Sequence, residues 1–241
     1  MRYLFHLPTI LFLFYVLVLS PFLAWRKFLK RSSVKPGTAP AKPLMPKLQR
    51  FRRTALYLVA LTLFAIVAAV NSHLHIPFRL SGLDVFVIVA VSGIWGHYGA
   101  RGIRTRSSPQ MQRNRILYAP TTPQELRWAL LTALCAGVGE EIVYRGVLFE
   151  LLFRFSSSVV IAVAVCVVVF AMSHLVQGKA AAMAVGVLGL MFHFLFLRRH
   201  TLAVPIGIHV IYDSVIFLAW YRKGKRDAVP VNAKQAVGQS A

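Results

Sequence analysis

"CAGVGEEIVYRGVLFE", residues 135–150, decides how this chain is read. It lies inside an apolar run over 124–153, yet it carries four ionisable side chains, Glu140, Glu141, Arg145 and Glu150. The 241-residue chain has only seven acidic residues, and three of them fall in this one stretch. Ionisable groups in an apolar span are costly; they face a bundle interior or a water-filled cavity and mark a functional site.

The surroundings of this stretch are apolar throughout. The chain is 57% hydrophobic and 15% charged, whereas soluble domains run near half and a quarter. A hydrocarbon core about 30 Å thick needs about 20 apolar residues per helix. Windows at 3–25, 54–71, 83–100, 124–153, 157–177, 180–197 and 201–221 meet that length. The sequence therefore predicts an all-α, polytopic transmembrane helical bundle of about seven helices, a multi-pass protein of the cell (inner) membrane. The first window, "YLFHLPTILFLFYVLVLSPFLAW", exceeds the apolar part of a signal peptide, and "RKFLKR" follows at once. Residues 1–25 thus read as a retained helix with its N-terminus outside.

The formal net charge of +21 first suggests nucleic acid, but its distribution excludes that partner. Residues 26–53 hold ten Lys and Arg, 101–115 hold five, and the tail from Arg222 holds five, with Lys179 between. The alternate connections hold only Arg2, Arg79, Arg154, Arg198 and Arg199. That is the positive-inside pattern, and anionic lipid headgroups are the expected partners of the basic loops. "RRH" at 198–200 is the one departure, on the nominally outer side.

Residues 26–53 form a basic cytoplasmic linker, with "SSVKPGTAPAKPLMPK" extended and solvated by its prolines. Residues 54–115 form a helix pair and a second basic loop, "RTRSSPQMQRNR" at 104–115; 120–222 form a helical core, and 223–241 a disordered basic tail. Cys135 and Cys166 fall in apolar segments without CxxC spacing and read as packing residues. There is no internal repeat and no phosphate-cradling glycine loop.

The chemistry therefore falls to polar residues in the helices. Glu140 and Glu141 point about 100° apart on a helix. Glu141 and Arg145 stand at i,i+4 in the favourable order for an ion pair, while Glu140 lacks a same-helix partner and aims elsewhere. Gly137, Gly139 and Gly146 permit close helix approach. "FAMSH" supplies His174, and "HVIYD" sets His209 and Asp213 on one face at i,i+4. A Glu with one or two His is the minimum for activating water, with or without a metal. His193 and His97 read as packing residues; Glu150 reads as interfacial, without function. On these boundaries His174 lies about 9 Å along the membrane normal from Glu140 and His209.

"EEIVYR" fits EExxxR, "FAMSH" fits FxxxH and "HVIYD" fits HxxxN/D, in that order within about 75 residues. Over about 120–220 the chain resembles the CAAX-processing and bacteriocin-processing (CPBP, or Abi) intramembrane proteases, which include the Ras-converting type of CAAX endopeptidase. The resemblance implies hydrolysis of a peptide bond in a membrane-associated peptide or protein substrate, CAAX-type and prenylated in part of the family. Glu140 and His174 would activate water, Glu141 and Arg145 would hold the site together, and His209 and Asp213 would serve the oxyanion. Asp213 stands where many members carry Asn; a carboxylate there must be protonated or turned toward His209. The family is commonly labelled metalloprotease, and Glu140, His174 and His209 could supply three ligands to zinc. No HExxH helix is present, and a mechanism requiring no cofactor is slightly favoured. The rival class is a proton-coupled carrier or bacteriocin-immunity scaffold using the same network as relay or brace; carriers, however, repeat their broken helices in both halves, and here the polar groups all lie in the second half.

Overall fold

The protein, seen here as a computed structural model, is described over residues 6–32, 45–105 and 109–227. Among the described residues there is no strand. The helices are α1 (7–32), α2 (Lys47–Asn71), α3 (Gly82–Thr105), α4 (Pro109–Tyr118), α5 (123–156), α6 (Val159–Ser173), α7 (Lys179–Arg199) and α8 (Ala203–Asp227). The architecture is the all-helical polytopic bundle that the sequence predicts, and each of the seven apolar windows coincides with a helix.

Five helices, α1, α2, α3, α7 and α8, are long and apolar enough to cross a membrane. α5 has the length but carries charges at both ends and in its middle. α6 is apolar up to its final Ser173 but has only 15 residues, a rise of about 22 Å against a core of about 30 Å. The outward surface matches lipid rather than water: Leu56 and Phe86 are each 68% exposed and Val160 is 77% exposed.

One stretch departs from its sequence reading. The basic loop over 104–115 instead contains the end of α3 and most of α4. Pro109 opens α4, and the helix-forming Gln, Met, Arg and Leu that follow sustain it. Tertiary contacts hold it in place: Arg115 pairs with Asp227 at 2.6 Å, Asn114 donates to the Gln177 carbonyl at 3.2 Å, and Arg50 donates to the Leu117 carbonyl. α1 continues to Ser32, α2 begins at Lys47 and α8 runs to Asp227; the rest of the linker and the tail, 33–44 and 228–241, lie outside the described residues.

Cross-contacts define the two ends of the bundle. At the basic end Lys223 donates to the Ile103 carbonyl at 2.7 Å, beside the α4 contacts. At the other end Leu202 N donates to the Pro77 carbonyl at 3.0 Å, Thr201 Oγ1 joins both backbone groups of Arg79, and Arg199 pairs with Asp84 at 2.7 Å.

α5 is the central element, packed between α2 and α8. Its start is specified locally. Thr122 accepts from Glu125 N at 3.1 Å while the Glu125 carboxylate reaches back to Thr122, a capping box with Pro123 in the first turn. Its glycines set the approach distances. A Cβ on Gly137 would stand 2.9 Å from Val210 N in α8, and one on Gly139 would strike the Thr62 hydroxyl in α2. Both glycines flank the Glu140–Glu141 pair, so α5 is pressed against its neighbours where its carboxylates project.

Candidate active site

Immediately after the two glutamates, α5 passes through a π-helical stretch, Ile142–Leu148. Such widened turns occur mostly as short insertions in α-helices, often at functional sites. Arg145 lies within it, completely buried, with Nη1 3.2 Å from Glu141 Oε1 and Nη2 donating to the Gly189 carbonyl of α7 at 3.0 Å. The guanidinium also lies over the rings of Phe170 (4.8 Å) and Phe192 (5.5 Å). These contacts distribute the cost of a buried cation over a carboxylate, a carbonyl and two aromatic faces. Gly189 lets these groups come close: an added Cβ would stand 3.3 Å from Arg145 Nη2 and 3.1 Å from Phe170, and both would have to give by a few tenths of an ångström.

Glu141, also fully buried, uses the same Oε1 to accept from His209 Nδ1 at 2.9 Å. A carboxylate on Nδ1 fixes that nitrogen as the proton-bearing one and turns Nε2 toward the remaining acids. Nε2 lies 3.9 Å from Glu140 Oε2 and 3.6 Å from Asp213 Oδ2. α5 and α8 are thereby joined by one imidazole facing three carboxylates. Asp213 is turned toward His209.

His174 follows the last residue of α6 and caps it. Its Nδ1 is 2.9 Å from the Phe170 carbonyl and 3.1 Å from Ser173 Oγ. Since a carbonyl only accepts, Nδ1 carries a proton, which leaves Nε2 as the nitrogen without a contact to the helix. The side chain lies within electrostatic reach of Glu140 and Asp213. Phe170 links His174 to the Arg145 network, its ring lying 4.8 Å from both the Arg145 guanidinium and the His174 ring. Phe170 is the first residue of the FxxxH pattern, and its position gives that spacing a physical reason.

The other polar residues divide. Glu150 pairs with Arg154 at 2.9 Å, half-exposed near the end opposite the basic loops. His193 is buried, with Nδ1 bonded to the Gly189 carbonyl at 3.0 Å, as a packing histidine should be. His97 differs: it is exposed on α3, edge-on to Tyr98 at 5.6 Å. Cys166 is buried and Cys135 half-buried, both free. Among the described residues no three His, Cys, Asp or Glu side chains form a group that could hold a metal ion. Sequence reasoning missed Gly189, Phe192 and Ser173. The three carry no charge, and they act through a backbone carbonyl, an aromatic face and a hydroxyl.

Residues 122–215 match the family model for type II CAAX prenyl endopeptidase Rce1-like proteins. Over that segment the chain is similar to the type II CAAX prenyl endopeptidases. The Rce1-like segment starts at the Thr122 cap and ends two residues beyond Asp213, so it contains α5, α6, α7 and the part of α8 that carries the site. No curated relative and no solved structure matches the chain. The matched family is one of CAAX prenyl endopeptidases, and α1–α4 lie outside the matched segment.

Proposed function

We propose that the protein is an intramembrane endopeptidase that cleaves a prenylated, CAAX-type substrate with Glu140, His174, His209 and Asp213. The observation carrying this reading is the His209 imidazole, held at Nδ1 by Glu141 and presenting Nε2 to Glu140 and Asp213. In this mechanism Glu140 accepts a proton from water as the oxygen attacks the substrate carbonyl carbon. His174 Nε2, left free by its Nδ1 contacts, orients the same water. Protonated His209 donates from Nε2 to the developing oxyanion, and Glu141 stabilises the imidazolium. Asp213 holds the ring from the outer side. Collapse of the tetrahedral intermediate breaks the C–N bond, and the proton held on Glu140 passes to the leaving amine.

Arg145 keeps Glu141 ionised and fixed, so the pair acts on the reaction through His209. Every step uses this chain's own side chains. The test is cleavage of a farnesylated CAAX-type peptide by the purified protein in detergent, beside Glu140→Gln. Cleavage by the parent and none by the variant is expected. Cleavage by neither leaves the network as a brace or relay.

A further inference from the structure

The departure from the positive-inside pattern remains unexplained by the protease chemistry, since "RRH" lies at the end opposite the basic loops. Not every cation there is neutralised. Arg199 is paired with Asp84, and Arg154 with Glu150. Arg79, His75 and His200 make no side-chain ion pair or hydrogen bond among the described residues. These three line one cleft of about 610 Å³, whose other walls are Ile76, Pro77, Phe78 and Phe196. That volume falls within the range of small-ligand sites, about 300–1,000 Å³.

The cleft is built by specific backbone contacts. His200 ends α7 in the left-handed region, φ 51°, which turns the chain sharply. Thr201 Oγ1 then accepts from Arg79 N at 2.9 Å and donates to the Arg79 carbonyl. Leu202 N donates to the Pro77 carbonyl at 3.0 Å. The 75–79 connection is thus fastened to 200–202, and basic side chains from both line the cleft. On either side of Arg79, Phe78 and Leu80 are 68% and 60% exposed. A cation between outward apolar side chains at a helix end is how a segment sits in the headgroup layer, with rings in the acyl boundary and charge at the phosphates.

We infer that this cleft binds the phosphate of an anionic phospholipid headgroup, with Arg79, His75 and His200 as its donors and Phe78 and Phe196 against the upper acyl chain. The ligand is an anion because the three polar side chains of the lining are all basic. It is a lipid because half the wall is apolar and opens beside exposed Phe78. The site would fasten the 72–81 connection to the end of α7, the element whose Gly189 carbonyl holds Arg145. It stands independently of the peptidase reading.

The experiment titrates detergent-purified full-length protein with phosphatidylglycerol or phosphatidylcholine of matched chains and counts retained lipids by native mass spectrometry. Wild type should hold its tightest phosphatidylglycerol at least about tenfold better than phosphatidylcholine, the scale of one charge-assisted contact. Arg79→Gln/His200→Asn should lose that one lipid. Arg79→Lys should keep it, and so should Arg198→Gln, which removes a cation from the same rim outside the cleft. All three positions are at the surface, so these variants fold. Equal retention by wild type and the double variant overturns the proposal. Displacement of the lipid by millimolar inorganic phosphate, with no discrimination between the two lipids, overturns the assignment to a lipid and leaves a free-phosphate site.

Discussion

Glu140 and Glu141 are covalent neighbours in different circumstances. Glu141 has no exposure and accepts from both Arg145 and His209; Glu140 is 16% exposed and faces His209 Nε2 across 3.9 Å. Glu140→Gln should therefore lower cleavage about 10²–10⁴-fold, the usual size of a general-base contribution, with little change in melting temperature. Glu141→Gln leaves a buried guanidinium uncompensated, a loss of about 3–5 kcal/mol, so melting temperature and cleavage should both fall, with Arg145→Gln behaving alike. Glu150→Gln, at a half-exposed pair worth at most about 1 kcal/mol, should change neither. All four are measured in one detergent; equal destabilisation by Glu140→Gln and Glu141→Gln would end this division of duties. The metal question is settled at the same scale. Cleavage should survive chelation, and stoichiometric zinc whose removal abolishes activity would replace the mechanism given above. The Glu141–Arg145 pair was legible in the sequence, because i,i+4 spacing needs only local geometry. The partners that make burial of Arg145 tolerable were not. Gly189 is 44 residues away and contributes a carbonyl, a group every residue possesses.

Within α5, the element as a whole positions these side chains. Its glycines were legible as sites of close approach; the π-helical stretch at Ile142–Leu148 was not, because a widened turn leaves no trace in hydrophobic spacing. The closeness of α5 and α8 at Gly137 has a direct test. Gly137→Ala should force α8 away and open the 2.9 Å contact between Glu141 and His209, at an overpacking cost of about 1–3 kcal/mol. Cleavage should fall with stability, measured by activity and thermal melting. Gly93→Ala, where an added Cβ meets nothing within 4 Å, should be neutral or stabilising, since Ala favours helix over Gly by about 1 kcal/mol. Gly137→Ala behaving like Gly93→Ala would show that the approach is not needed. α4 escaped the sequence reading for a related reason: its apolar content is low, and its anchors, Asp227 and the Gln177 carbonyl, are more than 60 residues away in the chain.

For the whole molecule, the fold class was legible because a bilayer imposes a length on apolar runs; the assembly of the runs was not, because lipid-facing and partner-facing surfaces are equally apolar. Orientation is a prediction from charge. Cysteines introduced at Ser81 and Ser157 should react with an impermeant reagent from outside the cell, and one at Lys225 only after permeabilisation; the reverse would invert the bundle. α6 carries a further consequence. Its 15 residues stand beside spans of 21 to 25, a hydrophobic mismatch of at least six residues, or about 9 Å along the axis. Lipid next to α6 must thin, or water must descend to meet His174, so that the bilayer dimples on the side where His174 ends the helix. A scissile bond tethered near the headgroups then travels less far to reach Glu140. Reconstitution in phosphatidylcholines of increasing chain length should progressively slow cleavage as the dimple becomes costlier to form, while the same protein in detergent, which has no fixed thickness, sets the upper limit.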